Sequence, residues 1–223
     1  MRKCVIGVIG LAVAAVLAAG CSDKSGNLSS SDPKERSQAI RAVASAAGDK
    51  AVEQIAPLAR HEDPQTALEA VAALGRMASP RACETLRQVV TTETRPEIRR
   101  AAVMSLAQRA EPEAVEAIRE ALVRDPVPEV RGDAAVALAT AGTINDVPVL
   151  AAAAGRETDP KVTRYQVLAM EHLTGIKFPP LDPKMTPEQR REQLQRICTT
   201  AVHLAEARKN KIPLGAPCKH TPQ

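Results

Sequence analysis

The sequence predicts an all-α fold: a right-handed α-solenoid of about five stacked helix pairs, closed by a C-terminal capping helix. Three observations predict it. The first is a proline period, since Pro33, Pro64, Pro96, Pro128 and Pro160 stand 31, 32, 32 and 32 residues apart. Self-similarity at a fixed spacing of this size marks helical repeat arrays. The second is an apolar pattern downstream of each proline. Six residues on come Ala39, Ala70, Ala102 and Ala134, with Gln166 departing; seven on come Ile40, Val71, Val103, Ala135 and Val167; ten on come Val43, Leu74, Leu106, Leu138 and Met170. Offsets of 6, 7 and 10 share one face of an α-helix, because residues three and four apart stack along its surface. The third is composition: 44% of the 223 residues are hydrophobic, yet Tyr165 and Phe178 are the only aromatics and alanine dominates the apolar share. Small side chains let helices pack at close range.

At the N-terminus Arg2 and Lys3 precede the uncharged apolar run Val5 to Ala19, 15 residues long. That is too short to span a bilayer comfortably and reads as a signal peptide over residues 1–20. It ends in Leu17-Ala18-Ala19-Gly20-Cys21, which resembles the lipobox of bacterial lipoproteins at all five positions. The resemblance implies cleavage before Cys21, a diacylglyceryl thioether on its sulfur and usually an acylated new terminus. One acyl chain binds a membrane only marginally, whereas two or three hold a protein there effectively permanently. The alternatives are a short uncleaved anchor or an ordinary secretory signal, and each of these also exports the domain. Residues 21–31, polar and Ser-rich after Cys21, read as a flexible tether. Ser22 directly after the lipidated cysteine resembles an outer-membrane sorting signal, so the expected location is the periplasmic face of the outer membrane in a diderm cell.

The repeats occupy residues 32–175. Asp32, Asp63 and Asp159 stand just before their prolines, where a carboxylate caps free N–H groups and proline fits the first helical turn. Arg95 and Val127 break this pattern. Twenty-two residues after each proline a second apolar set begins with Ile55, Leu86, Ile118 and Leu150, continued by Leu58, Val90 and Leu122. Each unit is therefore a helix pair that buries its apolar face only against its neighbours. The Asp-Pro start followed by Ala- and Leu-rich helices, as in Pro64 to Gly75 and Pro128 to Leu138, resembles HEAT repeats of the short phycobilin-lyase type. An arginine three after the proline is typical of that family; Arg36, Arg99 and Arg131 match it, while Ala67 and Thr163 replace it. These arginines are expected to pair along the stack rather than to form a binding site.

The fifth repeat lacks its second helix, since offset 22 falls on Asp182, and residues 176–186 read as a loop. Thr186-Pro187-Glu188-Gln189 then offers a cap, a proline and a third-position Gln, so a capping helix is predicted over 187–210. Its apolar face is Leu194, Ile197, Cys198, Ala201, Leu204 and Ala205. A Pro-rich tail completes the chain over 211–223. Cys83, Cys198 and Cys218 remain beyond the lipid site. An oxidising compartment would allow Cys198 and Cys218 to form a disulfide, with the free thiols as the equal alternative.

Arg2 and Lys3 account for two of the 30 basic residues, so the rest of the chain carries 28 against 26 acidic ones. A net charge of +2 without aromatic stacking platforms argues against nucleic-acid binding. His61-Glu62 resembles the metal-binding dipeptides of deoxyhypusine hydroxylase, but it occurs once and in a loop, and Glu171-His172 reverses the order. No metal site or cofactor is expected. There is no phosphate loop or nucleophile signature. The expected function is a non-enzymatic interaction scaffold for an unnamed protein or peptide, using a groove lined by the second helices. Glu53, Gln54, Arg87, Gln88, Glu116 and Arg119 are its candidate surface, with a merely solvated face as the alternative for each. The rival readings are a lyase-like or metal-dependent enzyme and a purely structural envelope component.

Overall fold

The computed structural model describes residues 27–46, 48–109 and 111–210. The leader, Cys21 and the tail with Cys218 lie outside the described residues. Five helix pairs succeed one another along the chain: α1 (Pro33–Ser45) with α2 (Asp49–Ile55) and a 3-10 turn (Ala56–Arg60), α3 (Pro64–Arg76) with α4 (Pro80–Thr92), and α5 (Pro96–Ala107) with α6 (Pro112–Arg124). Then come α7 (Pro128–Ala141) with a 3-10 turn (Ile144–Asp146) and α8 (Val147–Ala154), and finally α9 (Pro160–Thr174) with α10 (Pro187–Lys209). The chain is the predicted α-solenoid, each pair packing on the next.

Every period-marking proline opens a first helix, where its missing N–H leaves no bond unmade and its fixed φ suits the turn. Asp32, Asp63 and Asp159 cap their helices as expected, accepting from the backbone N–H of Lys34, Thr66, and Lys161 with Val162. The apolar sets close the core: Ala39, Ala70, Ala102, Ala134, Ile55, Leu86, Ile118 and Leu150 are all fully buried. The first pair departs from an even helix because Pro57 cannot donate to the Glu53 carbonyl, so α2 tightens into a 3-10 turn.

Of the predicted tether, residues 21–26 lie outside the described residues and 27–31 lead into the first repeat. Leu28 packs against the core, and Ser30 is buried, its hydroxyl donating to Glu35 at 2.6 Å and its carbonyl accepting from Arg36 at 2.5 Å. The first repeat thus begins three residues before its proline.

The closing element takes the fifth place in the second-helix row. α9 ends at Gly175 with φ of 65°, the left-handed conformation a glycine adopts without a Cβ clash. α10 starts at the Thr186/Gln189 capping box and packs on α8, with Ile197, Ala201 and Ala205 buried. Gln166 is fully buried where the other repeats carry alanine, and neither Oε1 nor Nε2 has a hydrogen-bond partner among the described residues. Gln166→Leu is expected to raise stability by about 1–3 kcal/mol, since it removes a desolvated amide at similar volume. Urea unfolding checks the gain, and a drop in midpoint would mean that the amide is satisfied.

First helices pack on one another more extensively than the second helices of the first four repeats do. Gly75 is one reason: a Cβ there would stand 2.8 Å from Ser105 Cβ. At Gly132 a Cβ would meet the Tyr165 ring at 3.1 Å.

Candidate interaction surface

The joints between repeats are built from a further periodic position. Three residues before each proline stand Ser30, His61, Glu93, Asp125 and Glu157, and each accepts the backbone N–H two residues on, at 2.9–3.1 Å. This explains His61, whose Nδ1 takes the Asp63 N–H at 3.0 Å. It also explains how α5 and α7 start without an Asp at the cap. The sequence pattern described above does not include this position, although every residue at it carries an acceptor atom.

Onto these joints the repeat arginines close. Arg99 reaches Asp125 of the next repeat through Nε at 2.7 Å and Nη2 at 2.9 Å, while its Nη1 donates to the carbonyls of Glu93 and Thr94. Arg131 repeats the pattern one unit on, with Glu157 and the carbonyls of Asp125 and Pro126. Arg36 pairs with Asp63 and Thr66 and the Ser30 carbonyl. The arginines are structural, as expected. Ala67 leaves two jobs undone, and Arg95 does both: it bonds Glu93 at 2.9 Å and reaches back to the carbonyls of His61 and Glu62. Thr163 has no following repeat to hold.

These carboxylates set an acid dependence. A hydrogen bond from Arg95 holds Glu93 at about 2, one from Thr66 does the same for Asp63, and one from Arg131 lowers Glu157. Their folded values lie below the unfolded ones, so their stabilisation is full above about pH 4.5 and is lost as pH falls through the folded values toward about pH 2. Urea midpoints at about pH 6 and about pH 2.5 are expected to differ strongly, and Glu93→Gln is expected to shrink the difference.

The predicted surface residues are placed on the second helices but tied to their neighbours. Arg87 and Gln88 both donate to Glu84, Glu53 pairs with Arg81, and Arg119 bridges Glu116 and the fully buried Asp146, at 2.6 Å to the latter. Gln54 is exposed. Small residues, Ala and Gly, sit between first helices and let that row pack closely.

Exposed apolar surface is concentrated on the first helices instead. Of five exposed large hydrophobics among the described residues, Leu68, Met104, Val136 and Leu168 lie there, 37–43% exposed. Ala72, Met104, Val136 and Leu168 share one position, eight after the proline. They form a ridge across four repeats, with Leu68 one turn away. Arg41 with Glu69 and Arg100 with Asp133, each at 2.7 Å, border it. At its C-terminal end the ridge runs into a cleft of about 1030 Å³ between α9, the 178–185 segment and the start of α10, and Leu168 belongs to both.

Among the described residues no group of three or more His, Cys, Asp and Glu side chains is placed to hold a metal ion. Cys83 is buried on α4, where burial raises its pKa, and burial pushes Cys198 up to about 11. Such thiols are poor nucleophiles. The second half of the expected Cys198–Cys218 pair lies outside the described residues.

Stacked helix pairs with periodic joints and an exposed ridge along one row define an α-solenoid, whose stacking creates an extended binding surface. The chain belongs to the HEAT-repeat family: the family described as HEAT repeats matches residues 26–107 and 86–171. The crystal structure of an engineered protein is similar at 21% identity over 81% of this chain and 94% of that chain, with a TM-score of 0.45. No curated protein matches the chain.

Proposed function

We propose that the protein is a non-enzymatic scaffold that binds protein partners on its first-helix ridge, while lipid on Cys21 holds it at the bacterial envelope. The observation that carries this reading is the ridge of exposed Met104, Val136 and Leu168, aligned with the half-buried Ala72 over four repeats. Apolar side chains left exposed in one aligned row mark interaction sites. HEAT repeats support the scaffold part, and Leu17 to Cys21 supports the anchor.

Crosslinking in intact cells tests both parts at once. Met104→Glu/Val136→Glu is expected to lose the dominant crosslinked partner, while Arg87→Ala/Gln88→Ala keeps it. Cys21→Ala is expected to leave the membrane fraction and to lose the partner with it. A ridge variant that captures the same partner as the wild type would sink the scaffold reading. A Cys21→Ala protein that stays in the membrane fraction would sink the anchor.

A further inference from the structure

The cleft at the end of the ridge has an apolar floor and a cationic rim. Val167, Leu168, Phe178 and Leu194 form the floor, and Lys161, Arg164, Arg190 and Arg191 the rim. Of the three carboxylates that also line it, Glu157 and Glu171 are ion-paired and Asp182 caps a turn. Glu157 is held by Arg131 at 2.8 Å, Glu171 by Lys177 at 2.9 Å and the Phe178 N–H at 2.8 Å, and Asp182 accepts the Lys184 N–H at 2.8 Å. None of the four cations is ion-paired among the described residues. Arg190 reaches only the Pro183 carbonyl, at 3.4 Å, and its Nε is buried without a partner.

Elsewhere most arginines among the described residues are ion-paired, Arg36, Arg99, Arg119 and Arg131 among them, and those without a pair, such as Arg60 and Arg76, stand apart from one another in the sequence. Four unpaired cations around one apolar floor therefore mark a place where anionic charge arrives from outside. The floor is open on the ridge side, where Leu168 is 43% exposed, so a chain lying on the ridge runs directly into it. An extended segment with alternating apolar and acidic side chains meets both features, placing its apolar groups on the floor and its carboxylates at the rim.

We infer that this cleft binds an acidic, apolar peptide segment of a partner protein. The inference deepens the scaffold reading and rests on it, naming the chemistry of the partner at one end of the ridge. The test is fluorescence anisotropy on the full chain in nonionic detergent. The probes are fluorescein-labelled peptides in which Leu alternates with Glu, Ser or Lys. The Leu-Glu peptide is expected to bind about tenfold more tightly than Leu-Ser, with affinity falling as salt rises. Leu-Lys is expected not to bind. Arg190→Glu/Arg191→Glu, with its helical circular dichroism intact, is expected to lose the Leu-Glu preference.

Equal binding of the three peptides, or a preference that survives the charge reversal, would overturn the inference. Binding to phosphatidylglycerol vesicles in place of the peptides would overturn it as well and assign the rim to lipid headgroups. Met104→Glu/Val136→Glu lies outside the cleft and separates the two readings. If it loses the cellular partner while the wild-type cleft shows no peptide preference, the ridge stands and the cleft assignment falls.

Discussion

Asp125→Ala is expected to lower the unfolding free energy by about 3–5 kcal/mol, the largest effect of any single polar substitution proposed for this chain. The Asp125 side chain is 4% exposed and that of Arg99 is 8% exposed, and the two meet through a bidentate contact between consecutive repeats. Removing the carboxylate strands a buried guanidinium and also frees the Val127 N–H at the start of α7. Each repeat of a solenoid touches only its neighbours, so the damage falls on one joint and weakens the coupling across it. Urea unfolding measures the loss. Arg124→Ala, which breaks an exposed pair with Glu120, is the control and is expected to change stability by under about 0.5 kcal/mol. A similar small change for Asp125→Ala would mean that the joint holds without its ion pair.

Arg95→Ala is expected to cost about 1.5–3 kcal/mol, the range for hydrogen bonds to charged groups, because it takes the ion pair from Glu93 and the side-chain donor from the carbonyls of His61 and Glu62 together. Adding Ala67→Arg to that variant is expected to restore at least half of the loss. It puts an arginine three after Pro64, where Arg36, Arg99 and Arg131 stand in their own repeats. In the wild-type background the same Ala67→Arg change is expected to destabilise, since Ala67 is fully buried and Arg95 already occupies the joint. A double-mutant cycle between positions 67 and 95 reads this coupling directly. Additive effects would show that Arg95 does not substitute for the missing arginine.

The compensation shows why departures from a repeat pattern are hard to read in one dimension. Arg95 breaks the Asp cap pattern and Ala67 breaks the arginine pattern, 28 residues away. In sequence they are two unrelated irregularities. In space they are one joint, since Arg95 reaches the carbonyls an arginine at 67 would have served. Val127 is similar: its missing cap carboxylate is replaced by Asp125 two residues earlier.

The repeat period, the starts of the first helices, the buried face of each and the capping helix were all legible in the sequence. All of these arise from local chemistry: a proline at the first turn, a capping oxygen before it, and apolar residues at helical spacing. Even the capping box at Thr186 and Gln189 was readable in four consecutive letters. Only the tertiary structure decided how closely neighbouring first helices pack. Gly75 and Gly132 set that closeness only through the residues opposite them. The tertiary structure also decided which side chains are engaged: Arg87 and Arg119 are held by neighbouring carboxylates, whereas Met104, Val136 and Leu168 stay exposed. The cleft is likewise tertiary, because its floor and rim come from segments that only stacking brings together, and whether a cation is paired is a fact about three dimensions rather than about its place in the chain.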